Sequence, residues 1–523
     1  MTVIEKQNRE QSFDAVVIGA GNGGLTAAAE LARKGVKVLL LEQHNLPGGF
    51  ATSFVRGRFE FETSLHEINA WGPEDNPGAV RRLLERKFGI DTEFIPVPEA
   101  YRLITTNPQE KLDVVMPFGV KNFIEAIEKE VPGSRDSLDK FFQIAQECYN
   151  AFNYIGRMRG RPDQGTLFKD FTNFLKTAAY SASEVQTALK IPKKAIDIMS
   201  AYWCYIGLPL SRINFTIFAM MLNSYLNRSG YIPKLRSNGY TTALDKKIRE
   251  FGGTIEYNTR VEKILVENGN VVGVETSKGD HINTNHVIAN VSPTLVYNKL
   301  IYPKTEVPEI AYKDINARIQ GLSTFVVYMG LDASPEELGL KEYSYFIMDS
   351  MSTEEIYDSW SKLQTPKGQA SICLNNAIPD CSPPGTSIVS ITTLFRPEIW
   401  YDVRPEDYVE IKNKIADGLI AHFELATGAK IREHIEELEI ATPITCARYT
   451  RSYNGIVYGY ELESWDSVLT RFMSMFNDIY IEGLEFCGGF WRRGHGYSST
   501  LVSGNLAAAM TFAKLNKGGN DNE

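Results

Sequence analysis

The sequence predicts an α/β protein with a discontinuous two-domain fold, and three observations support this prediction. The chain has 523 residues, which is far more than one typical domain. Its first fifty residues have the pattern of a strand, a helix and a second strand, and similar elements return between residues 244 and 289. A long helical region separates the two. We therefore expect one parallel-sheet domain built from residues 1–100, 230–300 and 480–523.

The opening unit has the hydrophobic pattern of a βαβ motif. Residues 13–18 (FDAVVI) are apolar and rich in β-forming side chains, and residues 25–34 have alanine-rich helical spacing. Gly35 ends this helix, and residues 36–41 (VKVLLL) have the pattern of a second buried strand. A glycine-rich turn joins the first strand to the helix, which is typical of a Rossmann-like domain.

The second region adds further strands to the same domain. A break at Gly252-Gly253 follows a helical segment, and Asn268-Gly269 between two β-type runs is a hairpin signal. The predicted elements are a helix at 244–250 and strands at 254–257, 260–267, 270–276 and 286–289.

The remaining segments, 101–229 and 301–479, are expected to form a mixed α+β domain with a helical insertion. Residues 120–230 are largely helical and unusually aromatic. Within them, residues 166–181 place five apolar side chains on one helical stripe, which we expect to face the core rather than a membrane. The other predicted elements are strands at 323–331 and 388–394 and helices at 408–427 and 498–514.

Composition and charge limit the partners and the cellular compartment that we expect for this protein. The net charge of −9 and pI of about 5.5 argue against a nucleic-acid partner. Six dispersed cysteines without a CxxC pair predict free thiols in a reducing compartment. The polar start lacks a secretory signal, and no run approaches the ~18 apolar residues of a membrane span. We expect a cytoplasmic protein, with peripheral membrane contact left open.

The turn after the first strand carries the clearest chemical signal, the run Gly19-Ala20-Gly21-Asn22-Gly23-Gly24. Gly19 allows the tight turn, Gly21 lets the backbone approach a pyrophosphate, and Gly24 permits close packing of the helix. The N–H groups at the helix N-terminus then face the phosphates. Glu42, followed by Gln43, closes the second strand where a carboxylate accepts from ribose hydroxyls. This pattern predicts a bound dinucleotide.

A second glycine pair distinguishes between dinucleotides. Gly48 and Gly49 follow Glu42 closely, with Thr52 just beyond, and let the chain pass the pyrophosphate from its other side. In this extension the sequence resembles the flavin-containing amine oxidase and phytoene desaturase superfamily, where it is typical of FAD.

Further segments resemble one branch of that superfamily, which holds phytoene desaturases, carotenoid cis–trans isomerases and retinol saturases. The resemblance covers residues 13–515, and the order of its motifs makes it convincing. The segments concerned are 61–68 (FETSLHEI), 323–331 (STFVVYMGL), Pro384-Gly385, and Thr442-Pro443 with Gly455 and Tyr458-Gly459.

The resemblance also implies flavin contacts elsewhere in the chain. Val261 would pack its backbone against the adenine. Residues 486–508 are similar to a second flavin motif, in which the last helix points its N-terminus at the flavin pyrimidine. The implied contacts are Gly488, Gly489, Tyr497 and Ser498. The run 491–495 (WRRGH) departs from the usual acidic and small residues of the family.

Candidate catalytic residues are few, since no nucleophilic triad and no metal-ligand spacing are present. The hard chemistry is therefore expected from the flavin. His66 is the main candidate acid or base, against the alternative of a histidine satisfied by backbone partners. Glu67 is expected to point elsewhere, as neighbours on a strand do. Tyr497 is a second candidate, with core packing as its alternative.

Substrate binding is predicted in two places. Arg492, Arg493 and His495 are candidate carboxylate ligands, with pyrophosphate neutralisation or a solvated surface as alternatives. The helical block 141–231 is a candidate wall for a long apolar molecule, although aromatic residues at helical spacing are more often core. Its aromatic members include Phe141, Phe142, Tyr149, Phe152, Tyr154, Tyr202, Trp203 and Tyr205.

These observations predict an FAD-dependent oxidoreductase that saturates or desaturates carbon–carbon bonds of a carotenoid, retinoid-like isoprenoid or fatty-acyl chain. Three alternatives stay open: a redox-neutral isomerase using reduced FAD, an amine oxidase, and a non-enzymatic prenyl-lipid escort protein. No second GxGxxG follows a strand, so electrons are expected to pass to or from a quinone, oxygen or a protein carrier rather than a separate NAD(P) domain.

Overall fold

The computed structural model describes residues 11–158, 160–466, 470–471, 480–491 and 494–518. In chain order its strands are β1 (Gln11–Ser12), β2 (Ala15–Ile18), β3 (Val38–Leu41), β4 (Ser53–Arg56), β5 (Phe59–Glu62), β6 (Phe94–Pro96), β7 (Tyr101–Thr105), β8 (Asp113–Met116), β9 (Tyr231–Pro233), β10 (Thr254–Glu256), β11 (Val261–Glu267), β12 (Asn270–Thr276), β13 (His281–Asn283), β14 (Val287–Ala289), β15 (Ile301–Tyr302), β16 (Ser323–Leu331), β17 (Ser344–Met348), β18 (Gly368–Cys373), β19 (Ser387–Phe395), β20 (Ile435–Ala441) and β21 (Leu484–Phe486).

The α-helices of the described residues are α1 (Asn22–Arg33), α2 (Ala79–Arg81), α3 (Val120–Glu130), α4 (Arg135–Arg157), α5 (Gln164–Asp170), α6 (Thr172–Thr177), α7 (Ala182–Ala188), α8 (Lys193–Met199), α9 (Phe215–Arg228), α10 (Arg236–Glu250), α11 (Pro293–Leu295), α12 (Glu309–Ala317), α13 (Thr353–Ser359), α14 (Tyr408–Thr427), α15 (Pro443–Thr450) and α16 (Tyr497–Gly518). No helix within these ranges has both the length and the apolarity that a bilayer crossing needs.

A five-stranded parallel sheet forms the centre of the first domain, in the order β10-β3-β2-β14-β21. All three chain segments predicted to form this domain supply strands to it. β2, β3 and β14 are buried along their whole length, which explains their continuous apolar runs. Helices α1, α10 and α16 pack together against it. α1 begins at Asn22, three residues before the helix predicted from its alanine spacing.

A second five-stranded sheet, in the order β1-β13-β12-β11-β15, packs on the same domain. Asn268 (φ 51°) and Gly269 (φ 77°) form the predicted hairpin turn between β11 and β12. The sheet continues to Ile301–Tyr302, and Ala311 and Ile315 of α12 pack into its core. β15 and α12 therefore pack with this domain, although they lie beyond residue 300, the end predicted for the segment 230–300.

A seven-stranded sheet, β20-β16-β19-β18-β17-β7-β8, forms the frame of the second domain. β16 and α14 have the bounds predicted from the sequence. α14 covers one face of the sheet, and the helical insertion α3–α9 packs around the aromatic core at the other.

Residues 166–181 differ from the single core-facing helix expected for them. They fold as α5 and α6, which are separated at Phe171 by non-helical backbone. The apolar side chains therefore no longer share one face. Phe174 is buried, whereas 71% of Phe168 is exposed to solvent.

Candidate active site

The carboxyl ends of four parallel strands meet at one edge of the central sheet. Gly19 follows β2, Glu42 follows β3, Asn290 follows β14 and Cys487 follows β21. Ligands of open α/β sheets bind at this edge. The glycine-rich turn, the predicted ribose carboxylate and the second flavin motif are thus brought together.

The glycine turn is built as the sequence predicts. Gly19 has φ +92°, and a Cβ on Gly24 would lie 1.9 Å from the carbonyl oxygen of Gly19. A Cβ on Gly21 would lie 2.8 Å from Nδ2 of Asn290. α1 begins directly after Gly21, and no side chain among the described residues caps it. The first N–H groups of the helix are therefore available to a phosphate.

Glu42 lies beside this turn. The N–H of Ala20 donates to its Oε2 (2.6 Å) and the N–H of His44 to its Oε1 (2.7 Å). Burial raises the pKa of Glu42, while these two hydrogen bonds act in the opposite direction. A carboxylate has about four lone-pair sites, so Glu42 retains acceptor capacity for ribose hydroxyls. Gln43 follows it along the same cavity.

The second glycine pair crosses over the first turn. Gly48 pairs with Gly21 in a parallel bridge and donates its N–H to the carbonyl of Ala20 (2.7 Å). Gly48 and Gly49 have φ +113° and +62°. A Cβ on Gly48 would lie 2.1 Å from the carbonyl oxygen of Ala51, so only glycine fits this crossing.

The C-terminal motif lies against the same cradle. Gly488 donates its N–H to Ser503 Oγ (2.9 Å), and a Cβ there would lie 2.4 Å from Oδ1 of Asn290. Ser498 Oγ donates to Asn69 Oδ1 (2.9 Å) at the start of α16. The other predicted cofactor residues that line the cavity here are Thr52, Val261, Gly489 and Tyr497.

Asn290 is a part of the cradle that sequence reasoning missed. Its Nδ2 donates to the carbonyl of Gly19 (3.3 Å), and its amide lies beneath Gly21, Gly23 and Gly488. A signal was present, because Asn290 directly follows the short strand predicted at 286–289, and polar residues at that position of a parallel sheet meet the ligand edge.

A single cavity of about 1420 Å³ extends from this cradle into the second domain. It is larger than the roughly 300–1,000 Å³ of ordinary small-molecule sites. Four of the eight aromatic residues named in the predicted wall line this cavity, namely Tyr149, Phe152, Trp203 and Tyr205. Phe141, Phe142 and Tyr202 belong to the packed core instead.

Tyr497 begins α16 and reaches a buried carboxyl group. Its Oη lies 3.0 Å from the carbonyl of Phe50, 3.1 Å from Ser64 Oγ and 3.3 Å from Glu62 Oε1. Burial raises the pKa of Tyr497 well above its usual value, so it keeps its proton. Burial also raises the pKa of Glu62 to about 7, against hydrogen bonds from Ser237.

His66 lies in the cavity wall among aromatic rings. Its Nδ1 is hydrogen-bonded to the hydroxyl of Tyr205, and Tyr343 hydrogen-bonds its carbonyl oxygen. Burial lowers the pKa of the imidazole to about 4, and the backbone of Ser371 acts weakly in the opposite direction. His66 is therefore neutral at physiological pH.

Glu67 does not point away from this group, contrary to the expectation from the sequence. β5 ends at Glu62, so His66 and Glu67 lie in irregular backbone where strand alternation does not apply. The hydroxyl of Tyr205 donates to Glu67 Oε1 (2.9 Å). Burial raises the pKa of Glu67 to about 8, with hydrogen bonds from Tyr205 and Tyr202 opposing it.

Comparison with known proteins identifies the family. The model for flavin-containing amine oxidoreductases matches residues 23–415. The chain belongs to this family.

Relatives and solved structures extend the likeness over nearly the whole chain. Chloroplastic prolycopene isomerase of Daucus carota is 26% identical, covering 97% of this chain and 81% of its own length. An all-trans-retinol 13,14-reductase of Danio rerio is 24% identical, covering 98% and 90%. Cyclohexylamine oxidase of Brevibacterium oxydans has the same fold, with a TM-score of 0.62, 12% identity and coverage of 96% and 99%.

As a member of this family the protein is an FAD-dependent enzyme, which confirms the resemblance stated from the sequence and sets aside the escort alternative. The cradle fits the cofactor: any side chain at Gly21 or Gly48 would meet neighbouring atoms where the backbone must approach the pyrophosphate. Residues of the two glycine pairs, Glu42 and the start of α16 would hold FAD along this edge.

Of the three residues predicted to bind a substrate carboxylate, the structure describes only His495. Arg492 and Arg493 lie outside the described residues. His495 lines the cavity with its ring stacked on Tyr458 (4.3 Å between centroids), and its Nε2 lies 2.9 Å from the carbonyl of Tyr205. Burial lowers the pKa of His495 to about 4, so it does not offer a positive charge to a carboxylate.

Proposed function

We propose that this enzyme saturates or desaturates carbon–carbon bonds in a long apolar substrate, such as a carotenoid, a retinoid-like isoprenoid or a fatty-acyl chain. The observation that carries the proposal is the single cavity, which connects the cofactor cradle to the helical insertion. Burial of a long hydrocarbon against such a wall is favourable in proportion to its apolar area. The apolar wall includes Phe152, Trp203, Ile206, Met220, Trp360 and Leu462.

The relatives agree with a polyene substrate. The two named above are a prolycopene isomerase and an all-trans-retinol 13,14-reductase. The matches cover 97% and 98% of this chain, and 81% and 90% of the two relatives. Both names denote a change at the double bonds of a conjugated isoprenoid. We therefore take an isoprenoid polyene as the leading substrate class.

The protein's own part is to position and enclose the reacting bond. Bound FAD supplies hydride exchange at its N5. The N-terminus of α16 places a positive dipole end beside the cofactor cradle. The apolar wall excludes water. His66 is one of several polar side chains that line the same cavity, and its imidazole is the candidate acid or base among them.

Redox-neutral isomerisation of a double bond is the second candidate, and the prolycopene isomerase relative favours it. The same cavity and the same histidine serve this reaction, because a proton added and removed at a polyene carbon allows the neighbouring bond to rotate. Net change in hydrogen content separates the two candidates.

An amine substrate is less well supported by the site. The solved amine oxidase shows the fold alone at 12% identity. An ammonium ion in a cavity of low polarity needs a negative partner. Burial raises the pKa of Glu67, beside His66, to about 8 and that of Glu62, beside Tyr497, to about 7, so at neutral pH neither group carries a full negative charge.

Incubation of the purified flavoprotein with all-trans-retinol and with prolycopene in detergent micelles tests the proposal, in one series without oxygen after reduction of the flavin by dithionite and in a second series in air with the flavin oxidised. We expect conversion of at least one polyene. Loss or gain of a hydrogen pair in the mass spectrum identifies redox chemistry, and an unchanged mass with a shifted absorption spectrum identifies isomerisation. Cyclohexylamine is the comparison substrate. Efficient turnover of the amine with neither polyene converted would overturn the proposal.

A further inference from the structure

Helix α9 presents one long stripe of side chains to the cavity. The residues of the stripe are spaced three and four apart, which places them on one face of the helix. They are Ile217, Met220, Met221, Ser224, Tyr225 and Arg228. The stripe is about 16 Å long at the ordinary helical rise per residue. It begins with apolar side chains and ends in a cation, so the cavity offers an apolar path with a positive charge at one end.

The cation, Arg228, is half-buried and has no acidic partner among the described residues. Its Nη2 donates a hydrogen bond to Tyr149 Oη (3.0 Å), and its Cζ lies 5.1 Å from the centre of the Tyr149 ring. Its Nε is enclosed and makes no hydrogen bond to any described residue. Charged side chains that are withdrawn from water are normally paired with an opposite charge. The charge of Arg228 is therefore available to a ligand.

Two hydrogen-bond donors face a ligand at this end of the cavity. Nε of Arg228 is too enclosed to reach one, whereas Nη1 is accessible and donates to no described residue. Tyr149 accepts its hydrogen bond from Arg228, so that bond does not use the proton of the Tyr149 hydroxyl. Both residues line the cavity. A guanidinium and a phenol hydroxyl together suit the two oxygens of one carboxylate.

This end of the cavity is open to solvent. Asn153 of α4 and Arg82 are both exposed, and both line the cavity. The loop 72–78, which precedes α2, lies beside Arg228, since a Cβ on Gly72 would lie 3.4 Å from Arg228 Cδ. A charged group bound here would keep part of its hydration, which avoids most of the cost of burying an ion. The apolar part of the same molecule would lie deeper, along α9.

We infer that Arg228 and Tyr149 bind a carboxylate at the end of the substrate chain. The inference rests on the proposed function and narrows its substrate class to a retinoid-like isoprenoid acid or a fatty acid. A hydrocarbon carotenoid has no group for this site and would leave the charge of Arg228 without a partner. The chain length between the carboxylate and the reacting bond would then decide which bond reaches the flavin.

A structural role for Arg228 makes a different prediction. Arg228 lies in the last turn of α9, where any cation stabilises the negative end of the helix dipole. Loss of that stabilisation would weaken the binding of a charged ligand and of an uncharged one equally. A carboxylate site instead distinguishes an acid from an alcohol or ester that has the same chain.

Binding of two matched pairs of ligands to the oxidised holoenzyme tests the inference without any turnover. The pairs are all-trans-retinoic acid with all-trans-retinol, and hexadecanoic acid with its methyl ester, all in the same detergent micelles. Trp203 and Trp360 line the cavity, so the change in protein fluorescence gives each dissociation constant. The ratio of the two constants within a pair is compared between protein variants, so that partition into micelles cancels.

Arg228→Gln should reduce the preference for the acid by at least about tenfold, as expected for a hydrogen bond to a charged group, and should change affinity for the alcohol and the ester by less than about twofold. Arg228→Lys should keep part of the preference, and Tyr149→Phe should reduce it. Arg86→Gln is the matched control. It removes a cation from the last turn of the helical segment Arg82–Lys87, which contacts the same loop through Glu74, but Arg86 does not line the cavity.

An unchanged preference in Arg228→Gln would overturn the inference. Loss of the flavin or a shifted flavin spectrum in that variant would also overturn it, because Arg228 would then serve the cofactor. If Arg228→Gln does not fold, an unchanged preference in both Arg228→Lys and Tyr149→Phe overturns the inference instead. A wild type that prefers the acids through Arg228 but converts no polyene would count against the proposed function and leave the carboxylate site standing.

Discussion

The side-chain amide of Asn290 occupies the space beside Gly21 where any other residue would place its side chain. A Cβ at Gly21 would lie 2.8 Å from Nδ2 of Asn290, while Nδ2 donates to the carbonyl of Gly19 at 3.3 Å. Two segments 271 residues apart in sequence thus define one wall of the cofactor cradle. The glycine is required by this contact as well as by the approach of a pyrophosphate.

A bulky residue at Gly21 should therefore abolish flavin binding. We expect the wild-type protein to be yellow and to release FAD on denaturation, and Gly21→Val to be folded but colourless, because its side chain collides with Asn290 and fills the pyrophosphate space. Absorbance of the purified protein and circular dichroism measure the two properties. Gly165→Val on the exposed helix α5 is the control and should stay yellow. A yellow Gly21→Val protein would show that the cradle is assigned to the wrong turn.

Charge placed in the apolar wall should remove activity without removing the flavin. Met220 of α9 lines the cavity, so Met220→Asp would put a carboxylate where hydrocarbon is expected to lie. We expect conversion of polyenes to fall by at least about tenfold, which corresponds to about 1.4 kcal/mol, while the flavin spectrum is unchanged and Met220→Leu keeps activity. Phe168→Asp, at a position 71% exposed, is the control for charge in the insertion. Equal activity of both aspartate variants would mean that the substrate binds elsewhere.

Stability should depend on pH through Glu62. The folded chain holds the Glu62 proton up to a pH of about 7, whereas an unfolded glutamate releases it near 4.5. The folded state binds more protons between these values, so the free energy of unfolding falls as pH rises through this window. Glu62→Gln should flatten this slope, because an amide does not titrate in this range. The variant should still fold, since the amide can accept from the N–H of Ser237 and donate to the hydroxyls around Oε1.

Denaturant unfolding of wild type and Glu62→Gln at several pH values across this window measures the slope. Glu60→Gln, two residues away on the same strand, is the matched control and should keep the wild-type slope. A Glu62→Gln protein whose stability changes with pH as steeply as that of the wild type would contradict the assignment to Glu62.

The sequence predicted the parts of this protein that are encoded locally. The turn from Gly19 to Gly24 needs only the residues beside it, and β16 and α14 were predicted from a β-type run and a helical segment of continuous sequence. The site required more than this. Tyr205 meets Glu67 across 138 residues, and nothing in the local pattern of either residue specifies that contact. The strand assumed around His66 was wrong, because the chain leaves β5 at Glu62 and bends. His66 and Glu67 therefore both contact the hydroxyl of Tyr205.

The source of electrons gives the last prediction. One dinucleotide fingerprint, Gly19 to Gly24, opens this chain, and no second GxGxxG follows a strand elsewhere in the sequence. A nicotinamide cofactor bound in its own domain would need such a turn to hold its pyrophosphate. We therefore expect NADH and NADPH to reduce the flavin only slowly and without saturation at micromolar concentration, whereas a quinone or oxygen should reoxidise reduced flavin readily. Anaerobic stopped-flow absorbance at the flavin band measures both rates, with dithionite as the control for complete reduction. Rapid bleaching by micromolar NADPH would show that a nicotinamide reaches the flavin without a domain of its own.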